Sequence, residues 1–282
     1  MSKAATAKSG SSDPRLRSGA LYSAAPVATL ALRASPRAFP MPDTRLHRGA
    51  HPGDATLFAR EKWPLLRRAS SELWWLLDRG YAARSSLELV GNRHTLTQRQ
   101  RLALARGACS QVQQAGRQSR EVPAEALYNE EVWIDGYNLL ISLESALSGG
   151  IILGARDGCY RDLASLHGTY RSVSETEPAL KLIGEALAAL RVARCHWLLD
   201  RPVSNSSRLQ ALLLEMADRA GWAWTVALEY SPDHVLAASD RIIATSDSAV
   251  LDRCFRWVNL GRGLIAQRVP AAWVFDLREP AV

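Results

Sequence analysis

Residues 131–138 read Glu-Val-Trp-Ile-Asp-Gly-Tyr-Asn, and this pattern of a short apolar run that leads into an acidic residue returns twice. Residues 195–200 read Cys-His-Trp-Leu-Leu-Asp, and residues 241–247 read Arg-Ile-Ile-Ala-Thr-Ser-Asp. Amphipathic helical patterns, such as that of residues 206–220, separate the runs. Strands that alternate with helices of this length pair in parallel and carry helices on both faces. The sequence therefore predicts a three-layer α/β domain with a Rossmann-like parallel sheet over residues 129–265.

The same alternation predicts the other elements of this domain. Helices are expected over residues 139–147, 157–170, 175–189, 206–220 and 248–254, and further strands over residues 222–228 and 257–260. Residues 233–239 are expected to form a short segment between two strands. Residues 266–282 are predicted to be a C-terminal tail.

Three aspartates stand at equivalent places in these units. Asp135 and Asp200 end two of the apolar runs, and Asp247 follows the third. Open parallel sheets bind ligands outside the carboxyl ends of their strands, where these side chains would converge. One such aspartate is commonly a helix N-cap, but three carboxylates at one edge repel one another unless a cation lies between them. All-oxygen ligation favours Mg²⁺ or Mn²⁺ over zinc. Asp252, five residues after Asp247, is a candidate for a further ligand.

These motifs resemble those of a known superfamily. Ile134-Asp135-Gly136-Tyr137-Asn138 resembles the D-G-x-N signature that opens NYN-type members of the PIN-like nucleases, and residues 198–200 look like their second acidic strand end. Residues 245–247, Thr-Ser-Asp, are similar to their T-S/A-D element. The resemblance implies a PIN-like fold in which Asp135, Asp200 and Asp247 are catalytic metal ligands and Asp252 is a fourth acid. It also implies that Asn138 orients Asp135 or a bound phosphate.

One loop departs from the usual motif. Asp200 is followed by Arg-Pro-Val-Ser-Asn-Ser, where many NYN nucleases have a shorter turn. The polar groups of Ser204 and Asn205 are candidates for holding a phosphate or a sugar, or else for capping the next helix. Ser246, within the Thr-Ser-Asp element, is a further candidate for substrate binding.

The part of the chain before this domain is expected to be divided into three segments. Residues 1–54 are predicted to be a disordered extension, residues 55–112 a small basic helical domain, and residues 113–128 a linker. Thr97 and Gln100 form a capping-box pattern at the start of one helix. Arg99 and Arg106 lie seven residues apart, hence on one helix face, and are candidates for guiding or docking a substrate. From Leu57 onward the chain also resembles a prokaryotic family of unknown function, of the DUF434 type, in which a helical region precedes a PIN-like module.

Charge is divided unevenly along the chain. Residues 1–128 carry 20 Lys and Arg against 9 Asp and Glu, a net charge of +11, whereas residues 129–282 carry 15 against 19, a net charge of −4. A basic region joined to an acidic one suits a protein that acts on a polyanion, although a solvated basic surface with no partner gives the same count. The four scattered cysteines suggest reduced thiols and a cytoplasmic location. No stretch has the length and apolarity of a membrane span.

The function expected from these features is that of a metal-dependent nuclease. Mg²⁺ or Mn²⁺ held by Asp135, Asp200 and Asp247 would serve phosphodiester hydrolysis, with RNA as the expected substrate and partner. Two alternatives stay open: a catalytically inactive protein that binds nucleic acid or has a regulatory role, and a phosphatase-like enzyme for small phosphoesters. The sequence has no G-x-x-x-x-G-K-S/T, G-x-G-x-x-G or G-x-S-x-G motif, so binding of a nucleoside triphosphate or a dinucleotide and hydrolysis by a serine nucleophile are unsupported.

Overall fold

The computed structural model describes residues 46–164, 168 and 170–278. The strands are, in chain order, β1 (Glu131–Asp135), β2 (Ile151–Gly154), β3 (Tyr160–Asp162), β4 (Arg194–Asp200), β5 (Trp224–Glu229), β6 (Ile242–Ala244), β7 (Arg256–Val258) and β8 (Trp273–Asp276). The helices are α1 (Asp54–Leu57), α2 (Trp63–Asp78), α3 (Ala83–Arg93), α4 (Gln98–Gly107), α5 (Gln111–Gln118), α6 (Gly136–Leu147), α7 (Thr176–Ala189), α8 (Ser206–Ala220), α9 (Pro232–Ala238), α10 (Ser248–Leu251) and α11 (Leu260–Arg268). Short 3₁₀ turns cover Arg60–Lys62 and Ala124–Leu127.

Five of the strands form one parallel sheet. Their spatial order is β5-β4-β1-β6-β7, so the first strand of the sheet lies at its centre and the chain winds outward in both directions. This is the Rossmann-like arrangement, in which the strand order reverses between β1 and β6. The carboxyl ends of β1 and β6 therefore flank the topological switch point, which is the usual place for a ligand in such sheets.

Helices cover both faces of this sheet. Alternate residues of the strands point to opposite faces, so Ile134 and Trp197 pack into the large core formed with α6, α7, α8 and α11. Trp133, Leu198 and Ile243 point to the other face, against α9 and α10. The three-layer α/β architecture predicted from the alternating apolar runs is confirmed.

The helical region before β1 does not stand apart from the rest. Buried side chains of its helices, such as Leu66 and Leu104, share one apolar cluster with Leu153 and Phe275. Those two residues belong to a second sheet, of order β3-β2-β8, in which β2 pairs with β3 antiparallel and with β8 parallel. The second sheet therefore joins the helical region to the α/β domain through a common core.

Several expected elements differ in the structure. The helix predicted over residues 157–170 does not form over residues 157–164, because Gly158, with φ +88°, makes a turn into β3. Residues 165–167 and 169 lie outside the described residues. The tail expected over 266–282 includes the end of α11 and the strand β8. The linker expected over 113–128 contains most of α5, whose capping box joins Ser110 and Gln113.

The disordered extension predicted for residues 1–54 also differs from the structure, in residues 46–54. Residues 1–45 lie outside the described residues, but residues 46–54 pack on the protein. Gly49 N donates to Ser148 Oγ at 2.7 Å, and the guanidinium group of Arg48 binds the buried carboxylate of Glu144 at 2.7 Å. In the described part of the chain, no helix is both long enough and apolar enough to cross a membrane.

Candidate functional site

Asp135 lies at the end of the central strand, at the switch point of the sheet. It is the N-cap residue of α6, and only 7% of its surface is exposed. Thr245, just after β6, donates its hydroxyl to Asp135 Oδ2 at 2.7 Å. Burial raises the pKa of Asp135 well above its ordinary value, and the negative charges of Asp247, Asp233 and Asp200 raise it further, against the hydrogen bond from Thr245.

The glycine after Asp135 has a steric reason. A Cβ atom at Gly136 would lie 2.9 Å from Leu198 O and still closer to the side chain of Leu199. Only glycine lets α6 begin this close to β4 directly after the strand. The Asp-Gly pair of the motif therefore sets the position of the carboxylate relative to the neighbouring strand.

A loop after β6 brings the next acid to the same edge. Asn138 Oδ1 accepts hydrogen bonds from both Ser246 N and Ser246 Oγ, each at 2.8 Å. Asp247 Oδ1 caps α10 by accepting from Ala249 N at 2.7 Å and from Val250 N at 3.2 Å. The Asn138 side chain therefore binds the Thr-Ser-Asp loop and not Asp135, a partner that the sequence did not suggest. The same hydrogen bond engages the hydroxyl of Ser246, the predicted substrate contact, within the protein.

Asp200 completes the predicted set of three at the end of β4. Strand pairing sets Asp135 beside Leu198, so Asp200 extends two residues beyond the central strand, at about 3.3 Å per residue. Partial burial raises the pKa of Asp200. The residue that pairs with Asp200 on β5 is Glu229, a further acid at this edge.

A fourth aspartate, which the sequence analysis missed, belongs to the group. Asp233 lies in the first turn of α9, and although it is exposed as a residue, its carboxyl group interacts with Asp247 and Asp200. Partial desolvation and then these two charges raise the pKa of Asp233 to about 6, while Arg253 opposes the shift. The only signal in the sequence is an acid just after Pro232, which is typical of an ordinary helix start. Asp233 lies near the other acids because α9 begins at this edge of the sheet.

Asp252, predicted as a fourth metal ligand, faces the helical region instead. Arg117 Nε donates to Asp252 Oδ1 at 2.7 Å, and Gln113 Nε2 donates to Asp252 Oδ2 at 2.9 Å. Both donors belong to α5. The prediction that Asp252 completes the acidic site is not supported by this geometry, because its two oxygens are engaged on the far side of α10.

A buried ionic network lies behind the Asp247 loop. Asp157 receives Arg117 Nη1 at 2.5 Å and Arg161 Nη2 at 2.7 Å, and all three side chains are less than a tenth exposed. These two guanidinium groups hold the pKa of Asp157 well below its ordinary value, against the effect of burial. Arg161 Nε also donates to Ser246 O at 2.7 Å. The network thus ties α5 and β3 to the loop that carries Asp247.

Two further buried acids of the α/β domain, Glu144 and Asp162, have structural partners. Glu144 is fully buried, binds Arg48, and accepts hydrogen bonds from Tyr170 Oη and Thr176 Oγ1 at 2.6 Å each. Asp162 accepts from Ser142 Oγ at 2.7 Å and from Arg106. Neither carboxyl group is brought to the acidic edge.

The predicted substrate contacts outside the edge are also engaged within the protein. Arg99 pairs with the buried Asp54, and Arg106 Nη1 donates to Asp162 O at 2.6 Å. Asn205, at φ +70°, makes no side-chain cap to α8, and its amide donates to Tyr170 O at 2.8 Å. Ser204 pairs through its backbone with residues 168 and 170. The side chains of Arg99, Arg106 and Asn205 are therefore engaged within the protein, whereas Ser204 is exposed.

The aspartate oxygens at this edge are suitable ligands for a hard divalent cation, although they do not form a complete coordination shell. The charges of Asp247, Asp233 and Asp200 add to the raised pKa of Asp135, and those of Asp247 and Asp200 add to that of Asp233, a repulsion that a bound cation would relieve. Over residues 46–164, 168 and 170–278, no three His, Cys, Asp or Glu side chains are arranged as a ready-made metal site. Mg²⁺ usually binds through one or two carboxylates together with waters and substrate phosphates, so a closed cage is not required.

Comparison with known proteins gives two family matches. Residues 124–263 match the family described as "Domain of unknown function (DUF5616)", and residues 65–120 match the one described as "Protein of unknown function (DUF434)". An uncharacterized protein of Methanocaldococcus jannaschii is 26% identical over 186 residues, which is 66% of this chain and 88% of that protein. No solved structure matched the chain. The matches support an uncharacterised family in which a helical N-terminal region, of the DUF434 type, precedes the α/β domain.

Proposed function

We propose that this protein is a PIN-like, metal-dependent nuclease that hydrolyses phosphodiester bonds of RNA. The observation that carries the proposal is the convergence of Asp135, Asp200, Asp233 and Asp247 at the carboxyl edge of the sheet, beside its switch point. In sheets of this topology that edge is where ligands bind. The resemblance of residues 134–138 and 245–247 to NYN-type motifs supports the same reading.

Asp135, Asp200 and Asp247 would hold Mg²⁺ or Mn²⁺, and Asp233 stands in electrostatic contact with the group. Once bound, the cation supplies a water of lowered pKa and neutralises charge on the phosphate under attack. The protein's contribution is to place oxygen ligands on rigid elements. Asp135 is fixed by the hydroxyl of Thr245, and Asp247 is fixed by its cap to α10.

The start of α6 supports binding of the anionic phosphate. Asp135 is the residue before this twelve-residue helix, and Asn138 lies in its first turn. The backbone N–H groups of a first helical turn have no partner within the helix and favour negative charge. A phosphate drawn to the acidic edge by a cation would therefore meet donors from α6 as well.

The basic half of the chain supports a polymeric substrate over a small phosphoester. Because Arg99 and Arg106 are paired internally, the exposed cations of the helical region are Arg60, Lys62, Arg68, Arg79, Arg84 and Arg93. The guanidinium group of Arg79 lies 3.6 Å from the ring centre of the half-exposed Trp75. Protein surfaces that bind single-stranded nucleic acids combine exposed cations with aromatic rings in this way. In this proposal the exposed cations take the docking role that the sequence analysis assigned to Arg99 and Arg106.

The test is cleavage of an end-labelled single-stranded RNA by the full chain with Mn²⁺ and with EDTA. Asp135→Asn is the test variant, because asparagine keeps the acceptor for Thr245 while removing the charge. Asp240→Asn is the matched control: it removes the same charge from an exposed residue at the amino end of β6, the opposite edge of the sheet. The proposal expects cleavage by wild type and by Asp240→Asn with Mn²⁺ only, and none by Asp135→Asn.

Other outcomes separate the alternatives. RNA that is bound but never cleaved would favour the inactive binding or regulatory protein. Cleavage of a small chromogenic phosphoester without cleavage of any polynucleotide would favour the phosphatase-like enzyme. Cleavage that persists in Asp135→Asn would place the activity away from the acidic edge and refute the proposed site.

A further inference from the structure

A cavity lies on the sheet face that carries Asp135 and Asp200. Its volume is about 170 Å³, and its walls include Trp133, His196, Leu198, Thr225, Ala227 and Val235. Val235 comes from α9, the short helix that carries Asp233, and the other five come from β1, β4 and β5. Sites for drug-sized ligands are typically roughly 300–1,000 Å³, so this cavity has room for a single ring system.

Strand register fixes the relation between the cavity and the acids. Trp133 pairs with His196, and His196 pairs with Thr225, so these three side chains form one row across the sheet. Asp135 stands two residues further along its strand than Trp133. Because side chains alternate between faces, it lies on the same face, at a distance of about 6.6 Å along the strand. The acids therefore stand at the outer end of the row that lines the cavity.

The walls are mainly aromatic and apolar, and Glu229, which pairs with Asp200 across the strands, is their one acidic residue. The rings of Trp133 and His196 lie 5.6 Å apart between centres, and His196 Nδ1 and Thr225 Oγ1 are 2.7 Å apart. Desolvation lowers the pKa of His196, with Glu131 opposing the shift, so the ring is neutral at neutral pH. Trp133 Nε1 is buried and has no hydrogen-bond partner among the described residues. A ligand that stacks on an aromatic wall and accepts a hydrogen bond suits this lining better than a free phosphate.

We propose that this cavity is a nucleobase subsite, which holds one base of the substrate strand against Trp133 while the adjoining phosphate reaches Asp135 and Asp200. The inference deepens the proposed function and rests on it for the identity of the polymer. A nucleobase is planar, carries ring nitrogens and carbonyl oxygens that accept hydrogen bonds, and stacks on aromatic side chains without regard to sequence. In the nucleotide it is joined through the ribose to a phosphate, which is the group that the neighbouring acids would engage through a cation.

Ala227→Leu tests the subsite without touching the core. Ala227 is exposed on β5 and lines the cavity, so a larger side chain there obstructs the space without leaving a void. The matched control is Ala223→Leu, the same change at an exposed residue just before β5, at the amino end of the strand. Trp133→Leu is a second variant that removes the stacking wall, and its melting temperature is measured first to establish that it folds.

Binding is measured with Ca²⁺ in place of Mn²⁺, so that a hard cation is present at the acids, and the probes are checked to be intact afterwards, so that the affinity does not depend on cleavage. The probes are a single-stranded RNA decamer and a ribose-phosphate chain of the same length that lacks bases. Wild type and Ala223→Leu are expected to prefer the decamer, and Ala227→Leu and folded Trp133→Leu to lose about tenfold in affinity for it, the scale of one stacked base. Equal binding of both probes by wild type, undiminished binding by Ala227→Leu, or no binding at all would each overturn the subsite.

The failure of the subsite and the failure of the nuclease give different results. Base-dependent binding that Ala227→Leu abolishes, without cleavage under any metal condition, would retain the subsite and refute the enzyme. Cleavage that needs Mn²⁺ and Asp135 but is indifferent to Ala227→Leu would retain the enzyme and refute the subsite.

Discussion

Removal of the buried carboxylate of Asp157 is expected to destabilise the protein strongly. In Asp157→Asn the side chain keeps its size, but Arg117 and Arg161 lose the charge they share. Arg117 retains its pair with Asp252, whereas Arg161 retains hydrogen bonds to the carbonyl oxygens of Ser246 and Arg106 and a weaker attraction to Asp247. The variant therefore leaves the guanidinium group of Arg161 buried, with no carboxylate in hydrogen-bond contact among the described residues.

The size of the effect follows from that burial. Breaking a buried ion pair by removing one partner costs about 3–5 kcal/mol, because the remaining charge stays desolvated. For chains of this size, each kcal/mol lowers the melting temperature by about 2–4 °C, so a decrease of about 6–20 °C is expected. Arg161→Met in the Asp157→Asn background should restore part of the loss, since it removes the uncompensated charge.

Thermal unfolding followed by circular dichroism measures this directly. Asp218→Asn is the matched control, because Asp218 is exposed near the end of α8, and a surface change there should alter the melting temperature by less than about 2 °C. A melting temperature of Asp157→Asn within that same narrow range of wild type would refute the reasoning. So would a double variant that melts below Asp157→Asn.

Three further predictions concern the acidic edge. Asp135→Asn should raise the melting temperature of metal-free protein at pH 7.5 by a few degrees, because burial and three neighbouring acids disfavour the charged form; a lower value would contradict this. Asp233 has its pKa raised to about 6, so its contribution to stability is present below its ordinary pKa of about 3.9 and is lost as pH rises through 6. The decrease in metal-free melting temperature between pH 5 and pH 7.5 should therefore be smaller in Asp233→Asn than in wild type, and an unchanged decrease would argue against it. Asp252→Asn should keep the stabilisation that Mn²⁺ gives to wild type, since Asp252 faces Arg117; its loss in a thermal-shift titration would return Asp252 to the metal site.

Much of the α/β domain was predictable from local pattern. Short apolar runs that end in Asp135 and Asp200 specify central strands, and the amphipathic stretch of α8 has the predicted bounds, Ser206–Ala220. These features depend on periodicity within a dozen residues, which a single sequence displays. The helix predicted over residues 157–170 was wrong over residues 157–164, because the turn at Gly158 and the pairing of β3 with β2 override a sequence that does not alternate clearly.

The acidic site was predictable only as far as strand ends could locate it. Asp233 reaches the group through the path of α9, and Asp252 leaves it because Arg117 lies 135 residues earlier in sequence yet beside it in space. The same long-range packing converts the predicted linker into α5, and it turns Arg99 and Arg106 inward. Partners this distant in sequence leave no mark in local pattern, so only the folded arrangement assigns them.

The proposed nuclease activity depends most on whether Asp135, Asp200 and Asp247 bind a divalent cation. The decisive measurement is the melting temperature of wild type and of Asp135→Asn at pH 7.5 as Mn²⁺ is titrated to millimolar concentration. Saturation to about 100 times the dissociation constant stabilises the folded state by about 2.7 kcal/mol, which is about 5–10 °C for a chain of this size. The account predicts such a rise for wild type and none for Asp135→Asn. No rise in wild type, or an equal rise in both proteins, would contradict it.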